Sequence, residues 1–182
     1  MKYLMIEWIH NFEQEPVLIY AELDQDRNEI RKIELFRTGI FGFSSPEIEF
    51  GGTYIAEEPY PEIEVINDDI NFKAQEITKE VFEQVWTEKV NIDNIVKIQI
   101  SFEQKDFLVN DVLPPRANLI GWIFKGQLKN GRWEIVIPND VADEIRDVCL
   151  EKLQVMGFDS KYNLAAEGLK LEELENIFYI DG

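Results

Sequence analysis

Between Leu4 and Phe43 several short runs carry apolar residues in the pattern of strands, and a chain patterned this way is committed to a sheet with at least one buried face. Leu4, Ile6 and Trp8 alternate with Met5 and Glu7. Val17 to Asp24 is apolar with Tyr20 and Glu22 on one parity, and Glu29 to Phe36 sets charges between Ile30, Ile33 and Leu35. Asp24-Gln25-Asp26-Arg27-Asn28 is polar turn material, and Thr38-Gly39 supplies the positive φ of a tight reversal before Ile40-Phe41-Gly42-Phe43. The first half is therefore expected to begin as an antiparallel meander.

The meander runs into a second unusual feature. Between Arg37 and Lys73 stand Glu47, Glu49, Glu57, Glu58, Glu62, Glu64, Asp68 and Asp69 without one basic residue. Exposed elements normally mix signs to relieve self-repulsion, so an unrelieved block has a cost that binding to something positive would explain. Gly51-Gly52 and the prolines Pro46, Pro59 and Pro61 break regular structure here, which predicts a long loop around one short strand near Glu49 to Tyr54. Phe41 and Phe43, at period two, read as core. Tyr54 and Tyr60, among glycines and prolines, read as anchors for a partner. Across the chain 18 Lys and Arg face 36 Asp and Glu, a formal charge of −18 that disfavours nucleic acid as a ligand. Positions 1 to 92 hold 8 basic and 20 acidic residues, so most of that field belongs to the N-terminal half.

Thr78 caps an expected helix whose Val81, Phe82, Val85 and Trp86 form one stripe able to cover the meander. Thr87 to Asn94 then suits a linker, with Pro114-Pro115 a competing boundary, dividing the chain into units of residues 1–88 and 95–182. In the second unit Ile95 to Phe102 alternates as a strand, and Leu119 to Phe124 and Trp133 to Ile137 are expected strands joined across Lys129-Asn130-Gly131. Pro138-Asn139-Asp140 opens a helix carrying Ala142, Ile145, Cys149, Leu153 and Met156 as far as Gly157. A last helix, Leu164 to Phe178, presents Leu169, Leu171, Leu174, Ile177 and Phe178, with Gly168 as a weak point of about 1 kcal/mol. The expected class is α+β, mainly antiparallel sheet with helices packed on one side.

Catalytic signals are thin. His10 is the only histidine, with no serine or cysteine in a nucleophile turn to serve, and reads as a structural or interface residue. Cys149, alone and on an apolar helical stripe, reads as core filler and excludes an intramolecular disulfide. Asp68-Asp69 lacks the spacing of a calcium loop, and Gly51-Gly52-Thr53 has no Gly-Lys-Ser/Thr behind it. No catalytic residue, metal or cofactor is therefore expected. The N-terminus lacks the features of a signal peptide and no run approaches a membrane span, so a cytoplasmic location is expected.

Glu7-Trp8-Ile9-His10, Glu15-Pro16, Tyr20-Ala21-Glu22-Leu23-Asp24, Glu29-Ile30-Arg31-Lys32-Ile33-Glu34 and Phe50-Gly51-Gly52-Thr53 resemble an uncharacterised bacterial domain family of small acidic proteins, over positions 1 to about 88. Some members look associated with polymorphic-toxin genes. Ile137-Pro138-Asn139-Asp140-Val141-Ala142-Asp143-Glu144-Ile145, with Tyr162-Asn163-Leu164, Glu167-Gly168 and Leu171-Glu172, looks like tails of bacterial immunity proteins. The resemblances imply an immunity protein of a contact-dependent growth inhibition or related toxin system. Its partner would be a cognate toxin domain, a basic nuclease, met by Tyr54, Glu57, Glu58, Tyr60, Glu62 and Glu64. A regulatory adaptor without toxin is the alternative, and an enzyme using paired carboxylates a third.

Overall fold

The computed structural model describes residues 1–180, in two compact units that divide between Ile92 and Asp93. The fold is α+β. The first unit is a six-stranded antiparallel sheet of β1 (Lys2–Trp8), β2 (Pro16–Leu23), β3 (Glu29–Phe36), β4 (Phe41–Ser45), β5 (Ile48–Phe50) and β6 (Phe72–Glu76). Its order is β5-β4-β3-β2-β1-β6, so the expected meander runs through five strands and β6 returns to the outer side of β1. The helices are α1 (Ile63–Asn67), within the acidic stretch, and α2 (Lys79–Lys89). Thr78 caps α2 as expected, accepting from the Val81 amide at 3.4 Å, and the helix continues through Thr87 to Lys89.

The sheet is covered on both faces, whereas the sequence pattern implied helices on one. Under α2 lies an aromatic core in which Phe82 meets Tyr3 at 5.4 Å and Trp86 at 5.9 Å between ring centroids, and Trp86 meets Phe43 at 6.1 Å. Val81 is instead exposed, leaving Phe82, Val85 and Trp86 as the covering stripe. On the opposite face Leu4, Ile6, Ala21, Leu23 and Ala74 pack with Tyr60 of the acidic loop and with Ile63 and Ile66 of α1. Regular helix and strand thus enter the predicted loop because three of its apolar residues have a core to reach.

Arg31 fastens α2 to the sheet. Its guanidinium bonds Glu22 on β2 and Glu83 on α2 (2.6 Å to Oε1), and lies 4.9 Å and 4.7 Å from the centroids of Phe82 and Trp86. Tyr3 donates its hydroxyl to the same Glu22 at 3.1 Å. Burial works against the Arg31 charge, but the bonds to Glu83 and Glu22 outweigh it and raise its pKa.

In the second unit, β7 (Ile95–Ile100), β8 (Gln127–Lys129) and β9 (Arg132–Pro138) form a sheet of order β7-β9-β8. Register places Ile98 and Ile100 on one face with Trp133, Ile135 and Ile137. The other face carries Glu134, bonded to Gln99 at 2.9 Å and Lys129 at 3.2 Å. Asn130 and Gly131, at φ 51° and 77°, make the expected hairpin turn, but its first strand is Gln127–Lys129. Leu119 to Phe124 belongs to α4 (Ala117–Phe124), where Leu119, Trp122 and Ile123 are buried at i, i+3 and i+4. A short apolar run fits either period, and here the helical stripe wins.

Before it come α3 (Phe102–Phe107), held by a Ser101/Gln104 capping box, and a π-helical turn over Leu108–Val112. The long helix α5 (Asn139–Met156) buries Ala142, Ile145, Val148 and Cys149, and α6 (Ala166–Ile177) buries Leu171 and Leu174. Leu169 is exposed. Gly168 is no weak point: a Cβ there would stand 2.0 Å from the Gly157 carbonyl oxygen, so glycine is what lets α6 cross the end of α5.

The bond from Arg31 lowers the pKa of Glu83, so its contribution to stability is complete above the ordinary glutamate value of about 4.3 and is lost as pH falls through its lower folded value. Glu83→Gln should therefore lower stability at neutral pH and flatten the acid limb of stability against pH in denaturant titrations. Phe82→Ala should cost about 3–5 kcal/mol in the same assay.

Candidate functional site

The acidic loop Gly51–Glu62 is laid across the sheet by charges that the strands supply from beneath. An extra residue in β3 sets this up: Arg31 pairs with Glu22 while Glu29 pairs with Leu23, leaving Ile30 as a bulge. The bulge reverses the parity of Glu29. It comes to lie on the same face as Lys32 and Glu34, opposite Arg31.

Glu29 is fully buried at its side chain, and its carboxylate accepts from the Tyr60 hydroxyl (2.7 Å), the Ala56 amide (2.7 Å) and Lys32 Nζ (3.3 Å). Lys32 also stands 3.6 Å from Glu34 Oε1, while the other Glu34 oxygen accepts from the Thr53 hydroxyl at 2.7 Å. Three points of the loop, Thr53, Ala56 and Tyr60, are thereby bonded to one buried and one half-buried carboxylate. Burial and then the Glu29 charge raise the Tyr60 pKa, so the phenol stays a donor. Ser44, facing Lys32 across the strand pair, is buried with no hydrogen-bond partner for its hydroxyl among the described residues.

Arg27 holds the far end of the loop. It sits in the turn after β2 with φ 68°, where Asp24 Oδ1 accepts from the amides of Asp26 and Asn28 at 2.8 Å each. Its guanidinium donates to the Tyr60 carbonyl (2.6 Å), the Pro61 carbonyl and Glu62 Oε2 (2.9 Å), and its own carbonyl accepts from the Tyr60 amide at 2.9 Å. At the near end the loop crosses β4 so closely that a Cβ at Gly42 would fall 2.1 Å from Thr53 Oγ1.

The six residues proposed from sequence therefore separate into two groups. Tyr54, Glu57, Glu58 and Glu64 are exposed, and none of the three carboxylates has an ion pair among the described residues. Tyr60 is half-buried and bonded to Glu29, and Glu62, itself exposed, is paired with Arg27. Arg27, Glu29, Lys32 and Glu34 are site residues that sequence reasoning misses: Arg27 lies in a polar turn, and a run of charges within an apolar-alternating strand is the only signal of the other three. Two apolar residues also stand exposed near the acids, Val65 on α1 and Ile70, the latter 88% exposed.

Elsewhere, His10 is held at both nitrogens: Nδ1 accepts from the Phe12 amide at 3.0 Å, which makes Nε2 the donor to the Pro16 carbonyl at 2.9 Å. Burial, then Glu175, pushes the Cys149 thiol up to about 12, unsuited to nucleophilic work. Among the described residues no group of three or more His, Cys, Asp or Glu is arranged to hold a metal ion, and no helix is long and apolar enough to cross a membrane.

Residues 2–91 match the family model of a domain of unknown function, DUF6881, so the match covers the first unit almost end to end. Neither the curated proteins nor the solved structures yield a significant match to the chain.

Tyr60→Phe removes one donor from a buried carboxylate and should lower unfolding free energy by about 1–3 kcal/mol while opening the loop to proteolysis. Ser44→Ala removes a hydroxyl that bonds nothing and should leave stability unchanged or raise it. Denaturant titration and limited digestion of both variants check this pair of outcomes.

Proposed function

We propose that the protein is an immunity protein, binding and neutralising a cognate bacterial toxin domain that is basic, such as a nuclease. The observation that carries this reading is the loop itself. Its outward carboxylates at Glu57 and Glu58 have no internal counter-charge, while Arg27 and Glu29 tie down its backbone from beneath and Glu34 holds its Thr53 hydroxyl. A surface whose charges are unpaired but whose geometry is fixed captures a basic partner quickly and loses little entropy on binding.

In this reading Tyr54, Glu57, Glu58 and Glu64 touch the toxin, carboxylates taking lysines and arginines while the ring gives an apolar anchor. Tyr60 and Glu62 contribute by holding the loop. Interaction would be stoichiometric, in the cytoplasm, and would block the toxin's active site or its path to substrate.

The reading is tested by recovering the bound protein from native cells, identifying it by mass spectrometry, and measuring association by surface plasmon resonance at low and high salt. The partner should be basic, and its activity should fall to zero at one equivalent of this protein. Glu57→Lys/Glu58→Lys should slow association about tenfold and weaken its salt dependence, whereas Tyr54→Ala should mainly speed dissociation, by up to about 2 kcal/mol. Unchanged rates and salt dependence in the charge-reversed protein, with folding confirmed, would reduce the acidic block to a solvated surface.

A further inference from the structure

We infer that Asn67 closes the outer edge of the six-stranded sheet, and that without it β6 pairs with β6 of a second copy of this chain. β6 is bonded to β1 on one side only. The Ile9 amide donates to the Asn71 carbonyl and the Ile77 amide to the Tyr3 carbonyl, so the odd-numbered residues turn their peptide groups toward β1. By the alternation of an antiparallel ladder, Phe72, Ala74 and Glu76 present theirs outward.

A row of this kind invites another strand. Here its centre is occupied. The Ala74 amide donates to Asn67 Oδ1 at 2.6 Å and the Ala74 carbonyl accepts from Asn67 Nδ2 at 3.0 Å. One side-chain amide thus makes both bonds that a neighbouring strand's peptide would make. The Phe72 amide donates to the Asp69 carbonyl at 2.9 Å, so the turn between α1 and β6 takes a second outward donor. A side-chain amide supplies donor and acceptor on two adjacent atoms, as a peptide does: aspartate would set a carboxylate against the Ala74 carbonyl, and alanine would leave both groups bare.

The occupant of a bared edge would be the same edge of a second copy. Antiparallel pairing about Ala74 is self-complementary under a two-fold axis, and every molecule in solution carries it. The acids beside it, Glu64, Asp68 and Asp69, are exposed on each copy, so such pairing would strengthen as salt screens them.

Hydrogen exchange and sedimentation velocity test the inference on the full chain. In the wild type the Ala74 amide should be protected although it points away from β1, and the protein should stay monomeric at low and high salt. In Asn67→Ala, at low concentration, the Ala74 amide should exchange roughly tenfold faster or more. On raising concentration, above all at high salt, the variant should dimerise, with the Ala74 amide regaining protection and the outward Glu76 amide gaining it. An unprotected Ala74 amide or a β6-mediated dimer in the wild type would overturn the inference, as would a folded Asn67→Ala that stays monomeric at every concentration. Should Asn67→Ala not fold, Asn67→Asp, which keeps the acceptor for the Ala74 amide, decides by the same two measurements.

Discussion

The bulge at Ile30 is the constraint on which the first unit depends. Without it Glu29 would share the α2 face with Arg31, and the loop side would keep Lys32 and Glu34 but lose the carboxylate that holds Ala56 and Tyr60. With it, β3 sends Arg31 to the α2 side and Glu29, Lys32 and Glu34 to the loop side. A single strand thereby fastens both covering layers. Ion pairs at this depth are poor sources of net stability, because desolvation cancels most of the attraction. Their effect here is to fix position: a helix or loop that must place its partner against a buried charge has few alternative seats.

This division explains how an acidic loop can be ordered at all. A chain segment holding Glu57, Glu58, Glu62 and Glu64 repels itself, and its prolines and glycines give it no ladder or helix to join before Ile63. Its order comes from bonds directed at its backbone and at Thr53 and Tyr60, leaving the outward carboxylates uninvolved. Anchoring from behind keeps the outer face free. Had the same order come from surface salt bridges, the charges that a partner would meet would already be neutralised.

Much of the fold was legible because it rests on local signals. Alternation gave the meander, Thr78 the start of α2, Asn130-Gly131 the hairpin turn, and the stripe from Ala142 to Cys149 the long helix. What failed were features set by tertiary contact. Phe72-Lys73-Ala74-Gln75-Glu76 has two apolar residues and becomes a strand only because β1 has an open side. Leu119 to Phe124 is too short to declare its period. The bulge is hidden because Ile30 looks like one more apolar residue in an alternating strand. Tyr60 stood out in sequence as an aromatic among acids, but its polar partner is Glu29, 31 residues away in the chain, and nothing local could name it.

The charge of the first unit follows from the same economy. It holds few basic residues, and the three that organise it, Arg27, Arg31 and Lys32, are directed at internal acceptors. Arg37 donates to the His10 carbonyl, Lys73 stands 3.7 Å from Glu7 and Lys89 2.8 Å from Glu88. These six of its eight cations are thus drawn inward or bonded locally, and none of them is paired with Glu57 or Glu58. A protein selected only for solubility could reach the same net charge with bases scattered among its acids, at less cost in self-repulsion. Concentrating bases where they hold the loop, and leaving Glu57 and Glu58 unmatched, makes the field both strong and fixed in direction. Those are the two properties that electrostatic capture of a basic partner requires.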